Sequence, residues 1–436
     1  MKQLLLLLLL SVLVASQECR PEFASWLESH GAVLSPQLSL LDLTVSGDNA
    51  GTLVTIPRKL FLMANATQLH LDYPQLAVMT AEGRWWDDRN NAFAKFRLED
   101  MLLTLQLVKE VELGTDSLFY EYIIQLPQDL NQVHEYTNDD LMQFRHPGLI
   151  AVVKKMASRM KEMYSKLFPP TTVSDKQRQA LFVWANGIVR SRAFSNGKEL
   201  MLIPLVDRFD FAVGMDKSNA KLDVSEDYCT ILWTNSTAGK VLLPNAWLYS
   251  NLFILLHRGV VFPENEWDAF PINLPPLTDP WANKRIDKLK QDHLWPVLVP
   301  SLSPPHKLVG FFRVAMATGE RELEMEGLGS RAMGGPALEE VALTACVRQL
   351  DSELLVFLPV TDNGSRPRQL AKQYVDSQRE LLTRAKTYCQ LALQVAQAFP
   401  DDDDENETPG EYLARFETEI THAMDQIALQ VYGKNT

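Results

Sequence analysis

Three stretches between Trp184 and Asn265 constrain this chain more than any other part of it: WANGIVRSRAF (Trp184–Phe194), LIPLVDRFDF (Leu202–Phe211) and YSNLFILLHRGVVFPEN (Tyr249–Asn265). In the first, Ser-Arg-Ala-Phe marks the point where a helix closes and a strand begins. Charged residues buried in apolar surroundings persist when they are paired. Arg192 and Asp207 therefore read as a charge couple that holds the fold together. The other reading, that Ser191, Arg192 and Asp207 lie beside a ligand, depends on what the stretches resemble.

In order and spacing they resemble the SET domain of the protein-lysine methyltransferases related to the Rubisco large-subunit methyltransferase. In that family the stretches run roughly W-A-x-x-x-V-x-S-R-A-F, then L-x-P-x-x-D-x-x-N-H, then S-Y-G-x-x-S-N-x-E-L-L-x-x-Y-G-F. The resemblance implies S-adenosylmethionine as cofactor and in-line methyl transfer to an unprotonated lysine, a reaction that needs orientation more than acid, base or metal. An Asn-His pair holds the adenine end in the family, and two tyrosines line the transfer channel. Carried over by position, the Asn falls on Asp210, the His on Phe211, and the tyrosines on Ala246 and Arg258. An ionised carboxylate only accepts hydrogen bonds and a phenyl ring makes neither kind, so side-chain bonds of Asn and His are lost while backbone bonds could persist. Arg258 adds a fixed positive charge near a cationic sulfonium. At about 6 Å and an effective dielectric of about 20 that repulsion is roughly 3 kcal/mol, an upper bound because arginine can snorkel away. The resemblance thus makes Ser191, Arg192, Asp207, Asp210 and Phe211 vestigial cofactor positions and leaves no catalytic residue in place.

The remainder of the chain extends the resemblance. FASWLESHGAVLSPQL (Phe23–Leu38) is similar to the family's opening helix, and LVTIPRKLFL (Leu53–Leu62) alternates like the strand that follows. Between them the family's cofactor-approaching G-x-G-L turn is replaced by VSGDNAGT, in which Gly47 and Gly51 are misplaced. Leu98, Met101, Leu102, Leu105 and Val108 form one helical face ending near Gly114, and DSLFYEYIIQLPQDL (Asp116–Leu130) resembles a short family segment. Leu149, Val152, Val153, Met156, Met160, Met163, Tyr164 and Leu167 form a second stripe, read as core. A further helix from Ser174 or Asp175 leads into the Ser-Arg-Ala-Phe junction. ILWTNSTAGKVLL (Ile231–Leu243) reads as a hairpin turning at Asn235–Gly239. After a proline-rich connection from Phe262 to Pro305, Pro336–Leu350, Leu370–Ala398 and Glu411–Tyr432 carry helical periodicity and resemble the family's C-terminal helical domain.

The expected fold class is therefore α+β. A SET-domain β-fold covers 17–300, split by a helical insertion over about 85–183, and an all-helical domain covers 301–436. MKQLLLLLLLSVLVAS has the basic start, leucine-rich run and small residues of a secretory signal peptide cleaved after Ser16. No later segment is long and apolar enough to span a bilayer. Entry into the secretory pathway makes the sequons at Asn65, Asn235, Asn363 and Asn406 usable for glycosylation. The four cysteines, Cys19, Cys229, Cys346 and Cys389, allow three pairings. Cys346 and Cys389 lie in apolar helical patterns and read as buried thiols.

A net charge of −13 argues against nucleic-acid binding through a general basic surface. The acidic run Asp401–Glu407 lacks the glycine and ligand spacing of a calcium loop and reads as a solvated linker. GLGSRAMGG (Gly327–Gly335) lies outside any strand-to-helix nucleotide-binding unit and reads as a loop. The histidines form no metal-binding spacing, and a G-x-S-x-G nucleophile turn is missing.

The expected function is that of a secreted or endoplasmic-reticulum-lumen SET-domain protein, a pseudo-enzyme that binds a protein partner and needs no cofactor. The alternative is an active S-adenosylmethionine-dependent protein-lysine methyltransferase acting on a protein substrate through a rearranged site, with Tyr249 as a displaced catalytic tyrosine. Expression in a eukaryotic secretory host is expected to yield a chain starting at Gln17. Intact-mass and N-terminal peptide analysis checks this, with retained residues 1–16 as the contrary result.

Overall fold

The computed structural model describes residues 20–47, 50–82, 97–130, 132–146, 148–168, 175–212, 218–234, 237–244, 250–272, 274–294, 297–325, 328–330, 332, 334–399 and 408–433. The leader, Cys19, Ser174, Asn235, Ala246, Tyr249, Asn406 and the acidic run Asp401–Glu407 lie outside the described residues. The chain divides into two compact units. One comprises Met1–Asn138, Gly148–Leu248 and Leu252–Val260, the other Asp139–Pro147, Tyr249–Asn251 and Val261–Thr436. The division falls at Val261, ahead of the boundary expected at 300, and it assigns Asp139–Pro147 to the second unit.

The first unit opens with α1 (Pro21–Ser29), whose Pro21 occupies the first turn, where no intrahelical N–H partner is needed. Phe23, Trp26 and Leu27 face the core, and Gly31 makes the exit turn at φ +87°. Strands β1 (Val33–Leu34), β2 (Leu38–Ser39), β3 (Thr44–Val45), β4 (Gly51–Pro57) and β5 (Leu62–Met63) follow, then α2 (Ala66–Asp72) and α3 (Pro74–Glu82). Next come α4 (Leu98–Leu113), α5 (Tyr120–Ile123), α6 (Leu149–Leu167) and α7 (Asp175–Arg192). The chain returns to strands as β6 (Phe194–Ser195), β7 (Leu200–Leu202), β8 (Asp210–Phe211), β9 (Ala220–Val224), β10 (Tyr228–Trp233), β11 (Gly239–Lys240) and β12 (Leu242–Leu243), before α8 (Asn251–Arg258).

The strands form small sheets: β1-β4-β10-β9, β11-β3-β2, β5-β7-β6 and the parallel pair β12-β8. On β10, Cys229, Ile231 and Trp233 are buried at every second position, the signature of a sheet with one face in the core. A register shift between Ile231 and Leu232 marks a bulge against β4. The hairpin expected at Asn235–Gly239 is corrected here. Both edges of β10 are already taken by β4 and β9, so β11 pairs with β3 instead. The tight turn lies one strand earlier, where Ser225 Oγ donates to the carbonyl of Tyr228 at 2.8 Å and accepts from its N–H at 3.1 Å.

The helical stripes fare differently. On α6, Leu149, Val153, Met156, Met160, Met163, Tyr164 and Leu167 are all buried, with Val152 half-buried at the margin. On α4, Leu103 and Leu107 are as deeply buried as Met101, Leu105 and Val108, so this helix is enclosed on more than the expected face. Its end at Gly114, φ +60°, is where the pattern placed it.

In the second unit β13 (Ala269–Pro271) and β14 (Leu298–Pro300) pair antiparallel. Around them are α9 (Ala282–Gln291), α10 (His306–Met316), α11 (Gly335–Val356), α12 (Arg366–Ala398) and α13 (Pro409–Tyr432). The β13–β14 pair packs on α12, which is why the 261–300 segment groups with the helices. Asp268 makes that attachment specific. Its carboxylate accepts from the backbone and side-chain nitrogens of Asn251, both at 2.8 Å, from Ser377 Oγ at 3.0 Å and from Gln378 Nε2 at 2.7 Å. Even with these donors, burial raises its pKa above the ordinary aspartate value.

Arg313 of α10 and Glu339 of α11 form a bidentate pair with both bonds at 2.7 Å and both side chains almost wholly buried. Helix α13 starts with a capping box between Thr408 and Glu411 and ends at Gly433 in the left-handed conformation. Among the described residues no helix is long and apolar enough to cross a membrane. Nor does any group of three or more His, Cys, Asp or Glu stand ready to hold a metal ion among them.

Glu339→Ala is expected to lower stability by about 3–5 kcal/mol, because it strands the Arg313 charge in the interior. The Arg313→Met, Glu339→Leu double substitution, which removes both charges, is expected to cost far less. Urea unfolding followed by helical circular dichroism measures both.

Candidate functional site

The first unit holds the first two stretches that the sequence singles out and Leu252–Val260 of the third. Helix α7 delivers Ser191 and Arg192 at its last turn. A 3-10 turn at Val206–Arg208 presents Asp207, and β8 carries Asp210 and Phe211 alongside β12. The backbone enters that 3-10 turn through Leu205 at φ +70°, a left-handed conformation that a branched side chain adopts only when its surroundings compel it. Leu205 is completely buried, and its packing supplies that compulsion.

Asp207 is the centre. Arg192 Nη1 donates to its backbone carbonyl at 2.8 Å and lies 3.6 Å from Oδ2, which also accepts from the Tyr122 hydroxyl at 3.0 Å. Oδ1 has no hydrogen-bond partner among the described residues. Burial raises the Asp207 pKa above the ordinary aspartate value despite the opposing pull of Arg192. The same burial, reinforced by the neighbouring carboxylate, lifts the Tyr122 phenol well above its usual range. Arg192 and Asp207 are thus paired, with the Asp207 carboxylate buried and Arg192 half-buried. Tyr122 was not singled out from the sequence, and its place in DSLFYEYIIQLPQDL is the one signal that could have found it.

Ser191 is spent locally. Its hydroxyl donates back into its own helix, to the carbonyls of Gly187 at 2.7 Å and Ile188 at 3.2 Å. Asp210 is exposed and paired with Lys240 at 2.5 Å. Phe211 sits 6.3 Å from the Phe194 ring, and the Arg258 guanidinium lies over its face at 4.7 Å. Burial first, and then the charge of Arg192, push the Arg258 pKa down to about 9, so it remains a cation at neutral pH. Residues 211 and 258 are thus in contact with each other.

Next to Arg258 a second buried group forms. Arg190 donates from Nη2 to His257 Nδ1 at 3.0 Å and from Nε at 3.3 Å, and the His257 ring stacks on Phe253 at 4.0 Å. Burial, together with Arg190, holds the His257 pKa well below the ordinary value, so the ring is a neutral acceptor. His134, in the 3-10 turn Val133–Glu135, is pushed down to about 4 by burial and then by Arg190. Beside this group Asn186 is fully buried and its amide donates to Thr104 Oγ1 at 3.2 Å. The Arg190–His257 and Asn186–Thr104 contacts were not legible in the sequence, since each joins residues distant along the chain.

The sequons that fall on described residues are at the surface. Asn65 is exposed and caps α2 by accepting from the N–H of Gln68 at 3.1 Å, and Asn363 is exposed in the loop before α12.

Comparison with solved structures gives this arrangement its context. A structure of the SET domain of LSMT bound to lysine and AdoHcy superposes with a TM-score of 0.60 at 17% identity, covering 89% of this chain and 93% of that one. Rubisco LSMT bound to sinefungin and monomethyllysine gives 0.62 at 16% identity, covering 90% and 98%. Rubisco LSMT bound to AdoMet gives 0.61 at 16% identity, covering 92% and 100%. The chain has the SET-domain fold of Rubisco LSMT. No protein-family model and no curated protein matches the sequence. The likeness runs through the SET fold and into the helical region that follows it, in agreement with the expected α+β class. At this level of identity it speaks for the fold.

Half-buried His134 makes the site acid-sensitive. With a folded pKa of about 4 against an ordinary 6.5, His134 binds its proton more readily in the unfolded chain. Its contribution to stability is complete above pH 6.5 and is lost as the pH falls toward 4. Wild-type protein is expected to lose more melting temperature than His134→Gln over that interval, as read by scanning calorimetry at stepped pH.

Proposed function

We propose that this chain is a degenerate relative of the SET-domain protein-lysine methyltransferases, working in the secretory pathway as a protein-binding module. The observation that carries the proposal is the Arg258 guanidinium stacked on Phe211. In the active family these two positions hold a channel tyrosine and an adenine-binding histidine. Here they are filled by a cation and a ring that satisfy each other.

S-adenosylmethionine does not fit the chemistry of the side chains that remain. The Ser191 hydroxyl is committed to its own helix, Asp207 Oδ2 accepts from Tyr122 and stands beside Arg192, and Asp210 faces Lys240. A sulfonium placed near Arg258 meets a like charge. That repulsion, at most roughly 3 kcal/mol, corresponds to a loss of affinity of up to about a hundredfold. The protein-binding role follows from what is kept, an ordered SET fold and a helical unit with buried, fully engaged ion pairs. The secretory location rests on the leader sequence and on the exposed sequons at Asn65 and Asn363.

Calorimetric titration of protein lacking residues 1–16 with S-adenosylmethionine is the direct test. No saturable binding is expected below about 100 µM. A constant in the low micromolar range would overturn the proposal in favour of an active lysine methyltransferase with a rearranged site.

A further inference from the structure

We infer that Cys346 and Cys389 form a disulfide that joins α11 to α12 inside the helical unit. Both are thiols in this structure, both are fully buried, and their sulfurs face each other at 2.9 Å across the interface between the two helices. Two uncharged thiols gain little from such an approach, because S–H is a weak donor and sulfur a weak acceptor. Bond formation requires the sulfurs to close by roughly a further 0.9 Å, to about 2.04 Å.

The bond would span 43 residues of chain, so it would remove substantial freedom from the unfolded state. Its formation balances as thiol–disulfide exchange with a small-molecule disulfide such as oxidised glutathione. One cysteine thiolate attacks that disulfide and expels a glutathione thiolate, leaving a mixed disulfide. The second cysteine thiolate then displaces the other glutathione. Two protein thiols are oxidised by two electrons, and two reduced glutathiones carry away the electrons and protons.

The surroundings determine when this happens. Burial, and then the adjacent sulfur, hold the Cys346 thiol pKa well above its usual range, so the attacking thiolate is scarce in the folded protein. Tyr388 and Tyr432 pack nearby at a ring separation of 6.3 Å and help close the space to solvent. The bond therefore forms while the helices are assembling in an oxidising compartment, and once formed it is shielded from soluble reductants. It is a structural tie; in the cell it rests on the secretory location proposed above, and it does not depend on the reading of the methyl-donor site.

Non-reducing peptide mapping of the full chain, refolded with a mixture of oxidised and reduced glutathione and alkylated with iodoacetamide in denaturant, tests it. The expected result is a linked pair of peptides containing Cys346 and Cys389 that separates on reduction and survives Cys229→Ser. Recovery of both cysteines in alkylated form, or linkage of either to Cys19 or Cys229, overturns the inference. The oxidised protein should also melt on the order of 5–10 °C above the same protein reduced in denaturant and refolded with its thiols blocked from reoxidation. An oxidised form that melts no higher would show that the bond does not suit the native helices.

Discussion

Asp207 organises the first unit. Its carboxylate is almost wholly out of water and is held by groups from segments far apart in the chain: Tyr122 donates to Oδ2, and Arg192, at the end of α7, lies 3.6 Å from the same oxygen while donating to the Asp207 backbone carbonyl. Satisfying it fixes the 3-10 turn at Val206–Arg208, and that turn fixes where β8 begins. The strained backbone at Leu205 is tolerated because the same packing holds it from both sides. The site's geometry is thus a consequence of burying one charge.

The second unit repeats the logic with different partners. Asp268 gathers Asn251, Ser377 and Gln378, while Arg313 and Glu339 lock α10 to α11. Such groups add little net stability over a well-packed apolar core, because desolvation offsets their attraction. What they supply is a penalty for every arrangement in which they are not matched. A helical unit with several long, similarly patterned helices benefits from that specificity, since apolar stripes by themselves allow neighbouring helices to slide.

Much of the fold was legible because it rests on local patterns. The methionine-rich stripe of α6 is buried as its spacing indicated, and α4 ends at Gly114 for the steric reason visible in the sequence. The Ser-Arg-Ala-Phe junction runs from α7 into β6 as read. The strand pairing was less legible. The β10 segment carries the right alternation, yet whether it turns back on itself depends on which edges its neighbours occupy, and that is a non-local matter. The candidate site divides in the same way. Residues 191, 192 and 207 were found through a motif, whereas Tyr122, His134, Arg190 and His257 were not, because their partners lie many residues away.

The sequence by itself determined the element pattern, the resemblance and which residues stand at positions 210, 211, 246 and 258, since residue identity and short-range spacing need no third dimension. Tertiary structure decided what the described residues do. It placed the Arg258 cation on the Phe211 ring and turned the Ser191 hydroxyl into its own helix. It also set the sulfurs of Cys346 and Cys389 face to face. The physical reason is that burial and contact are properties of the packed chain: a hydroxyl, a guanidinium or a thiol has the same chemistry wherever it stands in a sequence, and only its neighbours in space determine which part of that chemistry remains available.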